Sequence, residues 1–108
     1  MKIRFHPEFW NDLGRIEADY SVTSVGLAKR FRGEVIAGVN TIKTSPGGAG
    51  HYLNTGLRVV REFRRRNLKA FPFFILYGFT GNLLIFGSVI PHRSDPLSWL
   101  VRFPSLRP

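Results

Sequence analysis

The sequence contains no cysteine. That excludes disulfide staples, cysteine-ligated zinc, iron–sulfur clusters and thiol nucleophiles, and it fits a reducing, cytoplasmic setting. Acidic residues are scarce, with 7 Asp and Glu against 16 Lys and Arg and a formal charge of +9. Only two of the acids, Glu62 and Asp95, fall in residues 46–108. Lysine is scarce as well, at 4 against 12 arginines. There is no Gly-x-Gly-x-x-Gly motif, no phosphate loop and no Ser-His-Asp order. The segment Gly47-Gly48-Ala49-Gly50 lacks the lysine and helix that a phosphate loop needs. No His-x-x-x-His or His-x-Asp spacing offers a metal site, and nothing calls for a cofactor. Repeats and low-complexity tracts are absent. Pro7, Glu8 and Asp12 interrupt any apolar run after Lys2 and Arg4, so no signal peptide is expected.

What is present is enough for one domain. The 108 residues are 44% hydrophobic, which supports a packed core and leaves no room for separate catalytic and regulatory units. Residues 1–108 therefore read as a single domain. The basic surplus calls for an anionic partner: nucleic acid, acidic protein or anionic lipid. It is concentrated late. Residues 1–45 carry a net charge of +2 and residues 46–108 carry +7. The densest stretch holds Arg58, Arg61, Arg64, Arg65, Arg66 and Lys69 against the single Glu62. Arginine suits phosphate and carboxylate because its planar fork binds two oxygens at once.

Residues 70–90 form 21 positions without a formal charge, long enough to span a bilayer. Pro72 opens this stretch and Gly81-Asn82 divides it, so it predicts a β-hairpin and no membrane span. Residues 2–6 alternate and predict a first strand. Pro7 and Glu8 then suit the start of a helix, with Phe9, Trp10, Leu13, Ile16 and Tyr20 on one face. Residues 21–24 break it, with Ser24 as an N-cap. Leu27, Ala28, Phe31, Val35, Val39 and Ile42 predict a longer second helix, ended by Ser45-Pro46-Gly47-Gly48. The short break predicts an antiparallel helix hairpin. Residues 46–56 read as a mobile polar loop. Strands are predicted over 63–70, 73–79 and 83–89, and residues 92–108 as an irregular tail. The fold class is α+β, in the order β-α-α-β-β-β. An antiparallel sheet packs one face on the helices and leaves the other open.

On a strand, Arg64 and Arg66 would point one way and Arg65 and Lys69 the other. Those facing away from the helices would make a positive platform, or else a solvated edge that charge protects from aggregation. The aromatics Phe71, Phe73, Phe74, Tyr77 and Phe79 could stack on bases but at strand spacing belong to a core. His6 reads as a helix-start residue and His51 as an exposed loop residue. His92 follows a buried strand and precedes Arg93, which puts an imidazole at the rim of the basic face. There it serves acid–base chemistry or a structural hydrogen bond.

Taken together, these residues resemble the RelE/ParE toxin superfamily of bacterial type II toxin–antitoxin systems. The resemblance runs over residues 3–99. It begins with Phe5-His6-Pro7-Glu8 and continues with Phe31 and Pro46. Its most specific part is Leu68-x-x-Phe71-Pro72-x-x-Ile75-x-Tyr77, followed by Val89, His92, Asp95-Pro96 and Trp99. That pattern is similar to the ParE-like, plasmid-stabilisation branch. The resemblance implies the same β-α-α-β-β-β fold and a growth-inhibiting toxin held by an acidic, extended antitoxin. It implies DNA gyrase as the target, or, on the alternative reading, ribosome-bound mRNA cleaved with His92 and Arg93 as catalytic groups. A third reading is a basic interaction module without toxicity. A homodimer and a hetero-oligomer with the antitoxin are both open. The sequence departs from the family twice. The His-to-Asp-Pro spacing is one residue shorter, with Arg93 followed by Ser94. Residues 73–79 lack the arginine, and 103–108 the Tyr or His, that ribonuclease members carry.

Overall fold

The computed structural model describes residues 1–53 and 62–103. The chain is α+β, with two helices packed on a five-stranded mixed sheet. Strand β1 is Lys2–Phe5, and helices α1 (Phe9–Thr23) and α2 (Val25–Thr44) follow. Ser24 alone separates the helices. It closes α1 through its N–H to the Tyr20 carbonyl and caps α2 by accepting from the Leu27 N–H at 3.2 Å. Strands β2 (His51–Tyr52), β3 (Glu62–Asn67), β4 (Phe73–Thr80) and β5 (Leu83–Pro91) complete the sheet. The β4–β5 turn uses Gly81 at a φ of 45°, a left-handed geometry that glycine adopts without strain. No helix among the described residues is long and apolar enough to cross a membrane.

The sheet order is β1-β5-β4-β3-β2. The antiparallel sheet expected from the sequence is corrected in one place: β1 lies parallel to β5, with Ile3 opposite Leu84 and Phe5 opposite Phe86. The helix hairpin carries the chain from β1 at one edge to β2 at the other. The doubly apolar β4 and β5 thereby stay inside the sheet. The predicted loop over 46–56 contains the short strand β2, paired with Arg64 and Arg65. Its residues 54–56 lie outside the described part. The strand predicted over 63–70 stops at Asn67, because the N–H groups of Lys69 and Ala70 turn to the Glu34 carboxylate of α2.

Two apolar clusters hold the layers. Phe9, Leu13, Phe31, Val35, Val39 and Ile42 pack against the sheet's first face, on Ile75, Tyr77, Leu84, Phe86 and Val89. Burial of each large side chain stabilises by roughly 1.5–3 kcal/mol. The second face was expected to be open and is covered. A 3₁₀ helix, Pro96–Arg102, stands where an irregular tail was expected. It lays Leu100 and the following Phe103 onto Phe63, Phe74, Leu76, Ile85 and Ile90. Asp95 caps this helix by accepting from the Leu97 N–H at 3.0 Å. A bulge between Leu76 and Tyr77 leaves Gly87 as the extra residue of β5. A Cβ there would lie 2.7 Å from the Phe103 ring, so only glycine leaves room for that ring.

Candidate functional site

Strand alternation divides the basic residues of β3. Arg64 and Arg66 turn toward the helices, where they bind backbone. Arg64 donates to the Gly50 carbonyl and Arg66 to the Ala49 carbonyl, each at 2.7 Å. Tyr77 donates to the Pro46 carbonyl at 2.7 Å. Three side chains of the sheet thus fasten the segment after α2. Arg64 also pairs with Glu62. Tyr77 is fully buried, and burial pushes its hydroxyl up to about 12.

Arg65 faces the other way. Its guanidinium carbon lies 3.8 Å from the centre of the Phe74 ring, and its Nε donates to the Asn67 side-chain oxygen at 3.1 Å. Burial lowers its pKa, because the ring face replaces part of its water shell. The His92 ring stacks on the same Phe74, with centroids 6.2 Å apart and planes 22° apart. The His92 N–H donates to the Pro72 carbonyl at 3.0 Å, which fixes the end of β5 beside the start of β4. His92 and Arg93 are exposed and line a cleft of about 420 Å³ with Pro72, Phe73 and Pro91. Arg65, Phe74 and His92 therefore stand on one side of the sheet, at one end, and Arg93 follows His92 at that end.

The other sequence candidates fall elsewhere. Lys69 was expected to share a face with Arg65. It lies beyond the strand, exposed, and lines a separate cleft with Glu34, Thr41 and Arg66. Arg58 and Arg61 lie outside the described residues. His6 accepts from the Glu8 N–H through Nδ1 at 3.1 Å, as a helix-start residue would. His51 is exposed on β2. Among the described residues no three His, Asp or Glu side chains come together.

One polar centre escaped the sequence reading. Asp12 is buried, and its carboxylate accepts from Ser88 Oγ at 2.6 Å and Arg102 at 2.5 Å. Arg15 pairs with it too. Arg102 also donates to the Gly87 carbonyl at 3.2 Å and lies over the Trp99 ring at 4.6 Å. The signal was present in the chain: Asp12 sits three residues after Phe9 and four before Ile16, on the apolar stripe of α1.

No protein-family model matches the chain, and no curated protein matches it. The class of molecule established by the fold is a basic α+β protein with a cation–aromatic cluster at one end of its sheet. Its activity is inferred from those residues and their arrangement.

Proposed function

We propose that the chain is the toxin of a type II toxin–antitoxin system of the RelE/ParE kind. It inhibits growth by binding DNA gyrase and is held inactive by an acidic antitoxin. The observation that carries this reading is the Arg65 guanidinium seated on Phe74. A cation partly stripped of water and fixed on a ring binds a carboxylate or phosphate with little further ordering. His92 stacks on the same ring, and the exposed Arg93 follows it in the chain. The sequence resemblance supplies the biological class, and the charge of +9 suits an acidic partner.

A second reading, mRNA cleavage, is favoured by one specific contact. His92 and Arg65 share the Phe74 ring, which sets an imidazole and a cation against one aromatic side chain. Proton transfer at a ribose hydroxyl and stabilisation of a phosphorane need that pair. The departures from the ribonuclease pattern over 73–79 and 103–108 rank this second.

Growth inhibition, gyrase supercoiling and ribosome-dependent transcript cleavage by three proteins separate the readings. A gyrase binder keeps most of its toxicity in His92→Gln and loses it in Arg65→Glu. A ribonuclease loses about a hundred- to ten-thousand-fold in cleavage rate in His92→Gln. Normal growth of cells holding folded, abundant His92→Gln protein would overturn the gyrase reading. Unchanged toxicity of Arg65→Glu would remove the cation–aromatic cluster from the mechanism.

A further inference from the structure

We propose that a cleft between β1 and the 3₁₀ helix is a binding site for a small carboxylic acid with a flat apolar body. This goes beyond the function proposed above and stands without it.

Two elements build the walls. Arg4 lies opposite Ile85, on the sheet face away from the helices. The end of the 3₁₀ helix crosses that face. Val101 and Arg102 there meet Arg4, His6, Pro7 and Ile85 around a cleft of about 370 Å³. That volume falls at the small end of the roughly 300–1,000 Å³ usual for small-ligand sites. Ile85 is 3% exposed and lies at its base, whereas Val101 is 84% exposed and stands at its lip.

The donors say what fits. Both hydrogen bonds of Arg102 leave from Nη1, to the Asp12 carboxylate and the Gly87 carbonyl. Its Nη2 and Nε donors have no protein partner among the described residues. The Arg102 side chain is only 16% exposed, so donors without an acceptor are costly there. Asp12 faces Arg15 as well, so one carboxylate answers two cations. Arg4 forms no ion pair among the described residues. His6 accepts from the Glu8 N–H through Nδ1, which leaves the ring proton on Nε2 and makes that atom a donor. No Asp or Glu is among the described residues that line the cleft. Guanidinium forks and an imidazole N–H match the oxygens of one carboxylate. Pro7, Ile85 and Val101 match hydrocarbon, so the ligand carries its charge at one end only. The Asp12 contact and the Trp99 ring fix Arg102 beforehand, and little ordering opposes binding.

The probe is 2-naphthoate, titrated into the isotope-labelled full chain and followed by backbone amide shifts in NMR spectra. It should bind with a Kd of about a millimolar or below, with the shifts concentrated at His6, Ile85, Val101 and Arg102. Two controls share half of its chemistry each. 2-Naphthamide keeps the ring without the charge, and inorganic phosphate keeps the charge without the ring. Each should bind at least about tenfold more weakly than 2-naphthoate. Arg4→Gln removes a guanidinium, and Val101→Asp sets a carboxylate against the ligand's own. Both positions are exposed, so the fold should persist, and each variant should weaken 2-naphthoate by at least about tenfold. Should Val101→Asp melt early, Arg4→Gln decides alone. No shifts at these residues in about 10 mM 2-naphthoate would overturn the proposal. Equal affinity for the amide would reduce the cleft to an apolar patch, and equal affinity for phosphate would reduce it to an unselective anion site. Either overturns it, as does undiminished binding by folded Arg4→Gln. Gyrase inhibition is read separately in the supercoiling assay and bears on none of these outcomes.

Discussion

Tyr77 carries the largest burial effect on a titratable group among the described residues. Its hydroxyl has no water around it and titrates near 12 in the folded chain, against about 10 in a free chain. Below about pH 10 the proton is present in both states. Between about 10 and 12 the unfolded chain releases it and the folded one does not, so stability falls as pH rises. The expected decline is roughly 2–3 kcal/mol, and Tyr77→Phe should flatten much of it in urea titrations across that range. Burial raises Tyr20 in the same direction and leaves a residual slope. That Tyr77 would be buried was legible from the apolar run of its strand. The carbonyl it binds was not, because Pro46 lies in a segment without periodicity. At Gly87 the constraint is shape. Gly87→Ala would drive a methyl into the Phe103 ring and should destabilise by about 1–3 kcal/mol, read as a lower urea midpoint.

Between elements, the strongest polar link joins α1 to the 3₁₀ helix. Asp12 is nearly sealed from water and Arg102 largely so. Removing the carboxylate in Asp12→Ala would leave a covered guanidinium and the Ser88 hydroxyl without their acceptor. The expected loss is about 3–5 kcal/mol. The pair between Glu17 and Arg32, at 2.6 and 2.9 Å, links α1 to α2 at the surface. Glu17→Ala should remove less than about 1 kcal/mol, since solvent already screens that pair. Denaturant unfolding of both variants checks the ranking. The helices were legible because a 3.6-residue apolar stripe and a serine cap are local marks, and the β4–β5 hairpin because Gly81-Asn82 is one. The parallel partner of β1 left no local mark, since pairing at long range is written in no one segment. The 3₁₀ helix was hidden by its prolines. Proline at its start is compatible with such a helix, and Asp95 before Pro96 is a cap that the tail reading overlooked.

At the scale of the molecule, apolar burial covers both faces of the sheet and the exposed charge is left to its rim. The helix face of the sheet is almost wholly packed, and it uses Arg64 and Arg66 as internal fasteners. Arg65 and His92 stay at the rim of the other face, and Lys2 and Arg4 at its edge. Composition gave the sign and size of the charge, but only the strand register decides which arginines reach a partner. Binding to an acidic partner should therefore weaken steeply with salt, with most of the change between low ionic strength and about 0.15 M, where the screening length is about 8 Å. Charge reversal at Arg65 or Arg4 should reduce that salt dependence. A calorimetric titration at several salt concentrations measures it.

The link between Asp12 and Arg102 joins residues 90 positions apart, and the one between Asp12 and Ser88 spans 76. A ribosome working at about 5–20 residues per second needs roughly 4–18 seconds to add the chain between them. Through that interval α1 and β1 are already made, but the strand that orders them is not. The two helices can form as a hairpin, yet their apolar faces have no sheet to cover them. The nascent chain consequently presents no finished edge and no cation–aromatic cluster until β5 and the 3₁₀ helix have emerged. A chain cut short within β4 carries neither surface, because β1 then lacks its partner strand and Phe74 lacks His92.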